Sequence, residues 1–149
     1  MPRVKLDLPE RFMFQTSVKV RISDINYGGH LGNDAVLSIM HEGRMQFMEW
    51  LGFAELDVEG FGIILADSVV VYKNEAFHGD ELTVEVTAEE FNKYGCDLYY
   101  RLSNQHSGVE VARAKTGVVF FDYAARKVAV VPPAFLARIE HHRREASEE

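Results

Sequence analysis

Between Asp24 and Glu42 the chain gathers the residue types that can polarise a carbonyl and bring water to it: Asn26, then Gly28-Gly29-His30-Leu31-Gly32-Asn33, then Asp34 and Glu42. A glycine-rich segment that runs into a helix start leaves backbone N–H groups without intrahelical partners, and the helix dipole favours negative charge there. The amides of Gly28, Gly29 and the residues around Asn33 could therefore hold a developing oxyanion, with glycine allowing close approach. The same glycines read equally well as turn residues that supply a positive φ. Hydrolysis would also need a carboxylate that attacks the carbonyl or activates water. Asp34 is the first candidate, because the helix start keeps it ionised; its plain reading is a helix cap. Glu42, roughly two turns further along, is the second, and its plain reading is an ion pair or an interface contact. His30 could hydrogen-bond the substrate or satisfy loop carbonyls, and Asp24 reads as an acceptor that orients the loop. His41 and His78 have no spacing that would make a metal site with His30, and His141-His142-Arg143-Arg144 reads as a solvated helix end. No metal and no cofactor are expected.

These residues need elements to position them. Phe12, Phe14, Thr16, Val18, Val20 and Ile22 alternate with polar neighbours, which predicts a half-buried strand over 12–22. A helix follows, with Asn33 or Asp34 as its N-cap and Gly52 just past its end. Val36, Met40, Gly43, Phe47, Trp50 and Leu51 form one apolar stripe at helical spacing, with Ser38, His41, Glu42, Met45 and Glu49 opposite. Strands are predicted over 63–72, 81–90, 97–105 and 109–122, with hairpin turns at Gly79-Asp80 and Ser107-Gly108. A short helix over 133–144 ends the pattern. The class is α+β, an antiparallel sheet of about five strands wrapped around one long central helix. One helix cannot cover both sheet faces, so the remaining surface is expected to be buried elsewhere, as in a dimer with a continuous sheet.

Composition narrows the partners. The 149 residues are 47% hydrophobic and 26% charged, with no repeat or linker, so residues 1–149 read as one globular domain. Lys and Arg number 16 against 23 Asp and Glu, a net charge of −7 that argues against nucleic acid or an anionic membrane surface as partner. Cys96 is the only cysteine, which excludes an intrachain disulfide and a cysteine-based zinc site and fits a reducing cytoplasm. The N-terminus has no apolar signal core, and no run approaches the ~20 apolar residues that span a bilayer.

Val20-Arg21-Ile22-Ser23-Asp24-Ile25-Asn26, Gly29-His30-Leu31-Gly32-Asn33 and Glu42-Gly43-Arg44 resemble the first strand, loop and helix of the 4-hydroxybenzoyl-CoA thioesterase family, which has the hotdog fold. Members typically read V-R-x-x-D-x-D, G-H-x-N-N and E-A-R there. Val71-Tyr72-Lys73-Asn74-Glu75-Ala76-Phe77-His78-Gly79-Asp80-Glu81-Leu82 is similar to the family's strand, loop and Gly-Asp-x-Leu turn, and the likeness runs on through Val118-Val119-Phe120-Phe121-Asp122 to Val131-Pro132-Pro133. The resemblance implies hydrolysis of acyl-CoA thioesters by a cofactor-free homodimer or homotetramer with sites at the subunit interface. It also exposes a departure: the family's usual catalytic Asp corresponds to Asn26, and an amide neither attacks a thioester nor takes a proton from water. Asn26 then binds the carbonyl or orients a water, as an Asn does in another hotdog branch that pairs it with an acid on the helix, or it forms a structural Asx-turn. Asp34, where the family has a small apolar residue, is suggestive of a relocated carboxylate. Two rivals remain: a non-catalytic acyl-CoA or acyl-carrier binding hotdog protein, and a hotdog dehydratase or hydratase. The latter group carries prolines after its histidine, and none stands between Gly28 and Asn33.

Overall fold

Period-two alternation and glycine turns lay out the strands much as expected. The computed structural model describes residues 3–148, with side chains to residue 146. The elements run β1 (Phe14–Lys19), a 3-10 turn (Ile22–Asp24), α1 (Asn33–Leu51), β2 (Gly62–Tyr72), β3 (Glu81–Glu89), β4 (Gly95–Asn104), β5 (Glu110–Asp122), β6 (Lys127–Val128) and α2 (Pro133–Glu148). The strands form one antiparallel sheet ordered β1-β3-β4-β5-β2, with the two-residue β6 added beside β5. Helix α1 packs on one face of this sheet, and the helix and that face share the core. Among the described residues no helix is long and apolar enough to cross a membrane.

The stripe on α1 buries Val36, Met40, Gly43, Phe47 and Leu51. Gly43 is glycine because a Cβ there would stand 2.6 Å from Val84 Cγ1, so the helix can lie close on β3. Trp50 is part-exposed and stacks on His142 of α2, with ring centroids 3.8 Å apart. That contact corrects the reading of His141-His142 as a solvated end: His142 is mostly covered, and its Nε2 is buried without a partner. Gly52 ends α1 at φ +96°, in the left-handed region that glycine adopts freely.

Four other expectations change. The first strand stops at Lys19, and Ile22, entering the 3-10 turn, is 70% exposed rather than inward. The cap of α1 is Gly32, and neither Asn33 nor Asp34 caps it with a side chain. Gly79-Asp80 is not a hairpin turn, because β2 and β3 are not neighbours; it ends a crossover from one edge of the sheet towards the other. The face of the sheet away from α1 does not await an apolar cover. It carries cross-strand pairs, Arg101 with Glu85 at 2.8 and 3.1 Å and Lys115 with Asp67 at 3.0 Å. The segment before β1 also lies over it, Arg113 donating to the Leu6 carbonyl at 2.8 Å and Arg101 stacking over Phe12. Uncovered apolar surface lies instead along the edge strand β2, at Ile64, Leu65 and Tyr72.

Candidate active site

The crossover from β2 to β3 has to pass the start of α1, and backbone bonds fasten it there. Leu31 N donates to Ala76 O at 2.7 Å, Gly79 N to Val20 O at 2.9 Å and Val20 N to Asp80 O at 2.9 Å. Where the two segments meet lies a cavity of about 330 Å³, with Asn26, His30, Asn33, Lys73, Asn74 and Glu75 around an apolar floor of Leu31, Val36, Ala76 and Val111. A small cleft of this kind, apolar with a few convergent polar groups, is the usual form of a ligand site.

Three of the sequence candidates, Asn26, His30 and Asn33, line this cavity. Asn26 Oδ1 accepts from Gly28 N at 2.9 Å, an Asx-turn, while Asn26 O accepts from Gly29 N at 3.1 Å. Both glycine amides are therefore used inside the loop, which removes Gly28 and Gly29 as oxyanion donors and leaves them as turn formers; Gly29 has φ +85°. With Oδ1 committed, Asn26 keeps its Nδ2–H donors for the cavity. Gly32, the N-cap of α1, offers no side-chain cap, so the first amides of the helix stay available, Asn33 N among them. Asp34 N is the exception, donating to Asn33 Oδ1 at 3.0 Å. Asp24 is buried and accepts from Arg21 N at 2.8 Å, the loop-orienting role expected of it.

Neither expected carboxylate lines the cavity. Asp34 is exposed in the first turn of α1, its Oδ1 2.7 Å from where a Cβ on Gly32 would sit. Glu42 is exposed on the helix face and accepts from Gln46 Nε2 at 3.0 Å. The carboxylate at the cavity is one that sequence reasoning passed over: Glu75, whose Oε1 lies 3.9 Å from His30 Nε2. Tyr72, Lys73 and Asn74 were missed with it. Nothing in local spacing ties residue 75 to residue 30; only the strand order brings the crossover past the loop.

Among the described residues, neither the cysteine nor a group of metal-ligating side chains stands at this place. Burial pushes the Cys96 thiol up to about 12, so it stays protonated inside the core. His141, His142 and Glu145 bring ligand atoms within 4.8 Å of one another, but on α2, outside the cavity lining. His41 instead pairs with Glu55 at 3.2 Å.

Residues 20–139 match the family model of the thioesterase-like superfamily. No curated protein matches the chain. Among solved structures, the chain is similar to a 1,4-dihydroxy-2-naphthoyl-CoA thioesterase from Synechocystis, at 22% identity and TM-score 0.77 over 85% of this chain and 94% of that one. It is similar to a predicted thioesterase from Bacillus stearothermophilus at 21% identity and TM-score 0.77, over 87% and 95% of the two chains. A gentisyl-coenzyme A thioesterase shares 17% identity at TM-score 0.75, over 85% and 99%. At these identities the likeness is one of fold, and the fold is the hotdog arrangement that the resemblance implied.

Proposed function

The chain belongs to the thioesterase-like superfamily, and from that premise we propose that it hydrolyses acyl-CoA thioesters to the free acid and coenzyme A. The observation that carries this reading is the cavity at the start of α1, where the Asn26 amide and the first amide of the helix stand beside an apolar floor. The acyl group would lie on Leu31, Val36, Ala76 and Val111. Its thioester carbonyl would accept from Asn26 Nδ2 and Asn33 N, donors fixed in place before the reaction by the Asx-turn and the helix start, and so able to favour the oxyanion over the ground state. Lys73 supplies a cation at the same cavity for an anionic ligand. The acceptor role of Asn26 within the loop explains why an amide serves at this position, since its free end is a donor and not a base.

A homodimer or homotetramer fits this reading. β2 ends the sheet with an eleven-residue edge and exposed Ile64 and Leu65, and its last residue, Tyr72, lines the cavity. Pairing along such an edge would cover it and set a second protomer beside the site. The lone buried Cys96 fits work in a reducing cytoplasm.

A panel of aromatic, short and long acyl-CoA thioesters, followed by release of free thiol, tests the activity. Turnover of at least one class is expected, and Asn26→Ala should lower kcat by about 10²-fold or more, the usual effect of losing one oxyanion donor. Micromolar binding of acyl-CoA with no turnover of any member would replace this reading with the non-catalytic binding protein.

A further inference from the structure

We propose that His30 and Glu75 together seat and activate the attacking water, so that the base is a loop imidazole backed by a crossover carboxylate rather than an acid on α1. The inference rests on the hydrolase reading above and supplies the group that reading lacks. With Asn26 unable to act as a base and Asp34 and Glu42 outside the cavity lining, His30 and Glu75 are the two acceptors that face each other across it.

The separation is informative. Nε2 and Oε1 stand 3.9 Å apart, too far for a direct hydrogen bond. One water bonded to both at the ordinary length of about 2.8 Å spans that gap. His30 Nδ1 faces Leu31 O at 3.4 Å. A proton on Nδ1 directed at that carbonyl leaves the Nε2 lone pair towards the gap, the tautomer a base requires. Gly28 gives an independent sign that the gap is kept open. Its φ is not positive, so the backbone does not demand glycine there, yet a Cβ would come within 3.3 Å of both Asn26 Oδ1 and His30 Nε2. Any side chain at residue 28 would crowd the place where the water and the carbonyl must meet.

The step balances within these groups. A water O–H bond breaks, its proton passes to Nε2, and the oxygen forms a bond to the carbonyl carbon while the C=O π pair moves onto the oxygen held by Asn26 and Asn33. The tetrahedral species collapses, re-forming C=O and breaking C–S, and the leaving thiolate takes the proton back from Nε2. Glu75 stays ionised throughout and stabilises the transient imidazolium. The other titratable groups lining the cavity are Lys73 and Tyr72; on the loop side Asp24 is engaged with Arg21 and Asp34 lies over Gly32.

The test is steady-state acyl-CoA hydrolysis from pH 4 to 9 for the wild type, His30→Gln, Glu75→Gln and Glu75→Asp, with denaturation midpoints for each. His30→Gln should lower kcat by about 10²-fold or more with KM little changed, the scale of a lost general base. Its residual rate should lose the acidic limb of the wild-type profile. Glu75→Gln should lower kcat less than His30→Gln does, again with KM little changed, and Glu75→Asp should recover part of that loss. Glu75 is 65% exposed at its side chain, so its variants fold whether or not His30→Gln does. Full kcat in His30→Gln, or a kcat in Glu75→Gln equal to that of the wild type, overturns the inference and leaves the hydrolase reading standing. A wild type that hydrolyses no thioester overturns both.

Discussion

Two polar regions lie against the same helix and are built in opposite ways. Beside the first turn of α1, the cavity groups are part-exposed and thinly bonded: His30 and Glu75 stand 3.9 Å apart, and the Asn26 side chain spends only its Oδ1 on its own turn. Near the middle of α1, Arg44 is buried and its partners close around it. Arg44 Nε donates to Glu55 at 2.9 Å and Nη1 to Tyr100 Oη at 3.3 Å, while Tyr100 Oη meets Thr116 Oγ1 at 2.7 Å. A buried charge must be paired to be tolerated at all, so that cluster fixes how the helix seats on β4 and β5. The Asn26 and Asn33 donors and the His30–Glu75 pair are tolerable with few internal partners because all four residues are part-exposed or exposed. The difference predicts that the inner cluster governs stability and the outer one turnover.

Substitutions that separate the two effects can break that contrast. The largest stability loss is expected from Arg44→Ala, which leaves Glu55 with His41 alone and Tyr100 with Thr116 alone and should cost about 3 kcal/mol in urea unfolding, with kcat per folded molecule unchanged. Tyr100→Phe removes one hydroxyl and leaves Thr116 and one Arg44 N–H unsatisfied, which should cost about 1–2 kcal/mol. If either variant lowers kcat before it lowers the unfolding midpoint, the division of labour is wrong.

His142 sharpens the comparison, since it is covered and its Nε2 is without a partner, yet it stands outside the cavity lining. Burial, with Arg138 and His141 adding to it, holds its pKa below the ordinary histidine value. The unfolded chain therefore takes up this proton first as pH falls. The neutral form is favoured in the fold, so its stability is full above about pH 6.5 and declines as pH drops through the lower folded value. Thermal midpoints at pH 7.5 and 5.5 should show this decline, and His142→Phe, which keeps a ring on Trp50, should show less of it. The smallest effects are expected for Asp34→Asn and Glu42→Gln. Both side chains are exposed outside the cavity lining, and Asp34 does not cap the helix. A 10²-fold loss of kcat in either would return the base to α1 and require a second protomer to bring it to the site.

The parts of the molecule that a sequence can state alone are those set by neighbours along the chain. Alternation marks the strands, three-and-four spacing marks α1, and Gly52 marks its end, because backbone geometry repeats over a few residues whatever lies across from it. The loop before α1 was legible for the same reason, and Asn26, His30 and Asn33 were singled out from it. Family membership also rests on order and spacing along the chain. What tertiary structure decided is which side chains meet and which polar atoms remain free. The strand order sends residues 73–80 across the start of α1 and sets Glu75 opposite His30, forty-five positions away in sequence. The fold of the loop turned Asn26 Oδ1 inward onto Gly28 and used up the two glycine amides. Cross-strand charges on the outer face, alternating along each strand as an apolar face would, could be recognised as ion pairs only once the register set Glu85 against Arg101. Periodicity fixes where a residue points within its own element; which atoms answer it depends on chain packing at long sequence separation, and that is settled only when the whole sheet closes around α1.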